Sequence, residues 1–163
     1  LLDQGIHMID LALYLNGNSF DKIVSSVSNK YWKIEDIEDN VFAIMKSSKT
    51  GVEVSIHSTM TQWRHLFSLE VFFQKGYTVL NGLKTSSNTY GDEVLTIAKN
   101  RTTAPAATWE DEEQIIFKTD NSWQKEIVEF NDAIKNPANQ KHGTIQDAQL
   151  LMDNIQRIYE SSI

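Results

Sequence analysis

Residues 40–61 read N-V-F-A-I-M-K-S-S-K-T-G-V-E-V-S-I-H-S-T-M-T. Asn40 to Ser47 and Val52 to Thr61 are rich in Val, Ile, Phe and Thr, and Glu53, Ser55, His57 and Thr59 recur at every second position, the period of a pleated strand. Between them Ser48-Lys49-Thr50-Gly51 places a glycine where a tight turn needs a positive φ. The stretch therefore predicts a β-hairpin, and with it an antiparallel sheet. Further strands are expected at Lys22 to Lys33, Leu66 to Gln74, Tyr77 to Lys84 and Glu93 to Lys99. A second glycine turn, Gln74-Lys75-Gly76, joins two of these.

Helical periodicity brackets the strands. Residues 3 to 16 carry Ile6, Ile9 and Leu13 at helical spacing, and Asn16-Gly17-Asn18 supplies a left-handed stop. Asn121 to Asn136 shows a stripe of Trp123, Ile127, Phe130 and Ile134, and Thr144 to Glu160 shows another of Ala148, Leu151, Ile155 and Ile158. Thr144 with Asp147 forms a capping-box pattern at the start of the last helix. Phe67, Leu69, Val71 and Phe73 line one side of their strand while Leu66 and Phe72 sit on the other, so the sheet needs two covers. The expected fold is α+β: an open, mostly antiparallel sheet of about six strands with helices packed on one face, in one domain of residues 1–163. The free face predicts a homo-oligomer or a large interdomain contact. Residues 100–113 are the expected irregular stretch.

At 163 residues the chain can bury about 70% of its unfolded surface. It opens at Leu1 inside an apolar pattern, as a fragment of a longer chain would. The net charge of −7, with 15 basic residues scattered among 22 acidic ones, disfavours a nucleic-acid partner. No apolar run approaches a membrane span. The absence of cysteine rules out disulfides and thiolate metal sites and fits a reducing compartment, for which the cytoplasm is the expectation.

Asp3, His7, Asp10 and Tyr14 fall at i, i+4, i+7 and i+11, one polar stripe along an otherwise apolar helix. A carboxylate one turn from an imidazole can hold its tautomer and prepare it to exchange a proton with a substrate hydroxyl. The same spacing also fits a solvated ion pair or a helix start; Asp3 and His7 could share one metal ion, but nothing else in the sequence clusters in a ligand-like pattern, so no metal site is expected. His57, His65 and His142 are isolated from one another. Gln62, Trp63 and Arg64 follow a strand end. There an Arg can bind a carboxylate or phosphate and a Trp can stack on a sugar ring, although a core Trp and a surface ion pair fit as well. Neither G-x-G-x-x-G, G-x-x-x-x-G-K-[ST] nor G-x-S-x-G occurs, so the chain shows no phosphate cradle and no nucleophile elbow.

Read as D-x-G-x-H-x-x-D, the run Asp3-Gln4-Gly5-Ile6-His7-Met8-Ile9-Asp10, followed by Leu15 and Gly17, resembles the Gfo/Idh/MocA oxidoreductases (glucose-fructose oxidoreductase, inositol dehydrogenase and rhizopine catabolism). Glu38-Asp39-Asn40, the run Ser58 to Arg64, Gly76, Tyr90-Gly91-Asp92-Glu93, Trp123 with Glu126 and Phe130, and Tyr159-Glu160-Ser161-Ser162 extend the likeness over essentially the whole chain. The resemblance implies the C-terminal domain of a two-domain enzyme whose separate Rossmann domain binds NAD or NADP. It implies a sugar or polyol as substrate, His7 as catalytic acid/base, Asp3 as the substrate-binding residue that assists it, and Asp10 as a support. The family's Glu-Lys-Pro lysine has no counterpart here, so these 163 residues alone are expected to be inactive. Two other readings compete: a non-catalytic module that assembles through its sheet, and a metal-assisted lyase or isomerase using Asp3 and His7.

Overall fold

The computed structural model describes residues 1–100, 108–140 and 142–163. Its elements run α1 (Gly5–Asn16), β1 (Lys22–Ser28), β2 (Asn40–Lys46), β3 (Glu53–Thr59), β4 (Ser68–Phe73), β5 (Gly76–Asn81), β6 (Glu93–Lys99), β7 (Glu113–Phe117), α2 (Ser122–Lys135) and α3 (Ile145–Glu160). Among the described residues these strands pair antiparallel, and the fold class is α+β. The strands form two sheets, β1-β2-β3 and β4-β5-β6-β7, where a sheet of about six strands was expected. The chain divides into two compact units, residues 1–61 with 136–163, and residues 62–135.

In the first unit, Ile9, Ala12 and Leu13 of α1 and Ile155 and Ile158 of α3 close over Val41, Ala43 and Met45 of β2 and Ile56 of β3, with Phe20 buried beside them. Helices cover this one sheet face, as expected, and Val24, Phe42 and Ile44 on the alternate positions stay exposed. The hairpin register runs from Asn40 opposite Thr59 to Lys46 opposite Glu53, and Gly51 takes φ +78° at its turn. The C-terminal residues close the outer edge of β1. Ile163 N–H donates to the Ser25 carbonyl at 3.1 Å, and the Ser162 hydroxyl accepts from Val27 N–H at 3.1 Å.

Buried polar groups tie α3 to the α1–β1 connection. The Asn154 side chain is fully buried. Its Nδ2 donates to the Leu150 carbonyl at 2.7 Å and to Ser19 Oγ at 3.2 Å, while its Oδ1 accepts from Phe20 N–H at 3.4 Å. One turn on, the Arg157 guanidinium donates to the carbonyls of Phe20 and Asp21. Asn154 is a helix-interior asparagine with little intrinsic helix preference, retained here because it satisfies groups that water cannot reach.

Several expected boundaries shift for identifiable reasons. The first helix starts at Gly5, leaving Asp3 in the preceding turn, because Gln4 at the cap contributes no side-chain bond and Ile6 N–H reaches back to the Leu1 carbonyl at 2.8 Å. Strand β1 stops at Ser28 although Tyr31 and Trp32 are good strand residues. The buried Asp39 carboxylate accepts the N–H groups of Tyr31 at 2.7 Å and Trp32 at 2.9 Å and draws the chain into a loop. The Thr144–Asp147 capping box forms as expected.

In the second unit, the β4–β5 hairpin forms, but Gly76 is not a positive-φ glycine. A Cβ there would collide with the Ala98 carbonyl of β6, so the glycine permits a close strand approach. Strand β7 was not anticipated. The helix α2 forms over almost the expected span, yet no residue of it is buried, and Trp123, Ile127, Phe130 and Ile134 are all exposed. Its stripe is therefore not part of a core here. Of the stretch expected to be irregular, residues 101–107 lie outside the described residues, and Trp109–Asp111 forms a short 3-10 turn.

Candidate functional site

The chemistry-bearing side chains of the first unit are set by one helix. Along α1, Gly5, Ile9, Ala12 and Leu13 are buried, and this forces His7, Asp10 and Tyr14 to the opposite, exposed side. Gly5 is a packing glycine: a Cβ at its position would stand 2.8 Å from Ser58 Oγ and 2.5 Å from a Leu1 methyl group. The glycine of the D-x-G-x-H run thus lets α1 lie against β3, and it does not serve a phosphate.

Asp3 and His7 open onto different clefts. Asp3 lines one of about 550 Å³, whose apolar wall includes Trp32, Ile34, Ile37 and Met60 and whose polar end holds Glu38 and Tyr159. His7 lines a second of about 520 Å³ with Asp10 and Tyr14 of α1 and with His142 and Asp147 at the start of α3. Among the described residues, no hydrogen bond or ion pair joins Asp3 to His7; the bond recorded for the Asp3 carboxylate comes from Gln4 Nε2 at 3.4 Å.

In the first cleft, the Tyr159 hydroxyl donates to Glu38 Oε1 at 2.7 Å. Burial, then the bond to Glu38, pushes the Tyr159 phenol well up, so it stays a neutral donor. Asp39 forms the floor of the loop over this cleft. Burial raises it, and the amides of Trp32, Tyr31 and Lys30 more than offset that, holding it anionic. Lys33 and Asp36 in this loop adopt φ of 55° and 59°, a left-handed backbone that non-glycine residues seldom take.

In the second cleft, the Tyr14 and His142 rings meet edge to face, 4.8 Å between centroids at 78°. Asp147 is committed to capping α3: the Thr144 amide and hydroxyl hold its carboxyl below the ordinary range, and His142 adds to this. The sequence gives no sign that His142 shares a cleft with His7, because far-apart segments meet there only through the packing of α1 against α3.

Trp63 and Arg64 stand in the second unit. Trp63 is 96% exposed, so it is not a core residue. Arg64 is exposed too, and among the described residues it makes no ion pair. His57, on the open face of β3, stacks on Phe42 at 4.0 Å and bonds Asn40 Oδ1 at 2.9 Å. Among the described residues no three His, Asp or Glu side chains converge as metal ligands, and no helix is long and apolar enough to cross a membrane.

Residues 1–79, which contain α1, both clefts' Asp3 and His7, and the first hairpin, match the family described as the GFO/IDH/MocA C-terminal domain. The family likeness lies in this segment. The Gfo/Idh/MocA match ends within β5, but the fold likeness continues. A crystal structure of a proposed oxidoreductase from Bacteroides fragilis NCTC 9343 superposes with a TM-score of 0.68 over 98% of this chain, at 12% identity. That identity shows a shared fold only. The chain spans about half of that protein, 48% of its length. No curated protein matches the chain in sequence.

Proposed function

We propose that this Gfo/Idh/MocA domain is the substrate side of an NAD- or NADP-dependent oxidoreductase that acts on a hydroxyl-bearing or keto carbon of a sugar or polyol. The observation that carries the reading is the exposed His7–Asp10–Tyr14 side of α1, which lines a cleft and lies inside the family match. An exposed imidazole on a helix, with no hydrogen bond or ion pair among the described residues, is available to a ligand hydroxyl.

The residues present do not fit the cofactor's pyrophosphate. Gly5 at the start of α1 is filled by Ser58 and Leu1, and no glycine-rich turn precedes a helix. The nicotinamide, which would accept or deliver hydride, is accordingly assigned to residues outside these 163, in a Rossmann domain of the same protein. Within this chain, His7 takes the proton from the substrate hydroxyl in oxidation and returns it in reduction. Asp3 lines the neighbouring cleft, where its carboxylate would accept substrate hydroxyls. Trp63 and Arg64 are proposed as further substrate contacts on the strength of their exposure. The exposed Val24, Phe42 and Ile44 support assembly with a second copy through the β1–β3 sheet, which sedimentation of the complete protein would test.

For the central reading, the assay is nicotinamide reduction by the complete protein across a panel of sugars and polyols. His7→Ala should lower kcat by about 10² or more, the usual loss for a general acid/base. Normal turnover in that variant, or the absence of any nicotinamide binding by the complete protein, would sink the assignment.

A further inference from the structure

We infer that the α1–α3 cleft takes a substrate longer than one sugar ring, with a second ring seated on the Tyr14–His142 wall. The inference rests on the assignment of His7 as the acid/base and adds the class of molecule that the same cleft accepts.

His7, Asp10 and Tyr14 stand at i, i+3 and i+7, in line along one helix face, and seven residues of α-helix place Tyr14 about 10 Å from His7 along the axis. All three line the same cleft of about 520 Å³, a volume within the usual range for small-molecule sites. A reacting carbinol held at His7 therefore leaves the far end of the cleft to be filled by something else. That end is built of two aromatic rings in edge contact, Tyr14 and His142. An aromatic surface of this kind packs against the C–H face of a sugar ring, while its polar edges bond the ring's hydroxyls. Between the two ends, Asp10 is exposed and lines the same cleft, where its carboxylate accepts hydroxyl protons. Asp147 is occupied as the cap of α3 and is not counted among the ligand groups. The occupant that satisfies all three positions is a disaccharide or a glycoside, its reacting ring at His7 and its second ring at Tyr14 and His142.

The test uses the complete, cofactor-loaded protein with maltose, cellobiose, lactose and sucrose against their constituent monosaccharides, reading both nicotinamide reduction and direct binding by saturation-transfer NMR. At least one disaccharide should bind more tightly than its monosaccharides by about tenfold, the scale of one aromatic contact surface. Tyr14→Ala and His142→Ala should each remove that preference, raising KM for the disaccharide by about tenfold more than KM for its monosaccharides. Tyr14→Phe, which keeps the ring, should retain most of it. Equal binding of mono- and disaccharides, binding of neither, or a preference untouched in Tyr14→Ala and His142→Ala would each overturn the inference. The two readings fail separately. Turnover that survives His7→Ala but loses its disaccharide preference in Tyr14→Ala removes the acid/base assignment alone, and the converse removes only the second ring's seat.

Discussion

Replacing Asn154 tests whether the buried polar staple, rather than apolar packing alone, holds α3 to the first unit. Its side chain makes three hydrogen bonds, to the Leu150 carbonyl at 2.7 Å, Ser19 Oγ at 3.2 Å and Phe20 N–H at 3.4 Å. A net hydrogen bond contributes about 0.5–1.5 kcal/mol. The Leu150 carbonyl lies one helical turn back, so losing that bond leaves little unsatisfied. The Phe20 N–H is different, since a buried donor left without an acceptor costs about 1–3 kcal/mol. Asn154→Ala should therefore destabilise the protein by about 3 kcal/mol, including the void left by truncation. Asn154→Leu, similar in shape, should cost about 2 kcal/mol, because it fills the space and orphans the same donor. Urea unfolding followed by tryptophan fluorescence and far-UV circular dichroism reads both, with m expected to stay constant. A cost below about 0.5 kcal/mol in both variants, within the range of ordinary surface substitutions, would refute the argument that these bonds matter to the fold.

Other outcomes follow from the same packing. Gly76→Ala should destabilise the β5–β6 pairing strongly, since the added methyl meets the Ala98 carbonyl, whereas Gly51→Ala should cost about 1 kcal/mol through its positive φ alone; thermal melts of the two would rank them. Gly5→Ala should displace α1 from Ser58 and depress activity and stability together, a pairing that His7→Ala should not show. Asp39 has a folded pKa below its unfolded value, because loop amides outweigh the effect of burial. Its contribution is complete above an unfolded pKa of about 3.9 and is lost as pH falls through the lower folded value. Melting temperature should thus fall on acidification below about pH 4, and Asp39→Asn should flatten that slope.

The sheet strands were legible because alternation is a local property of the chain: the hairpin at residues 40–61 and the strand Glu93–Lys99 are where the residue pattern puts them. Misjudged limits trace to interactions between residues that periodicity does not pair. Tyr31 and Trp32 leave the strand because Asp39 captures their amides, and Glu113–Phe117 is short and continues an acidic run that reads as coil. Helical spacing located α2 but could not say whether its stripe meets a partner. For the candidate site, the polar side of α1 was readable from spacing. The separation of Asp3 from His7 was not, because it depends on the helix starting at Gly5. The joining of His7 with His142 depends on α1 meeting α3, and no local pattern encodes that meeting.

The first unit is assembled from both ends of the sequence, residues 1–61 and 136–163, with residues 62–135 forming the second unit between them. This arrangement dictates an order of events on the ribosome. When α1 and the first hairpin emerge, Ile9, Val41 and Met45 have no Ile155 or Ile158 to close over them, and the wait lasts for the synthesis of the entire intervening unit. That unit, by contrast, has all its strands in hand before α3 is made. Newly made chains would therefore carry an uncovered apolar sheet for several seconds at ordinary elongation rates of about 5–20 residues per second, and a chaperone that shields β1–β3 would act in that interval.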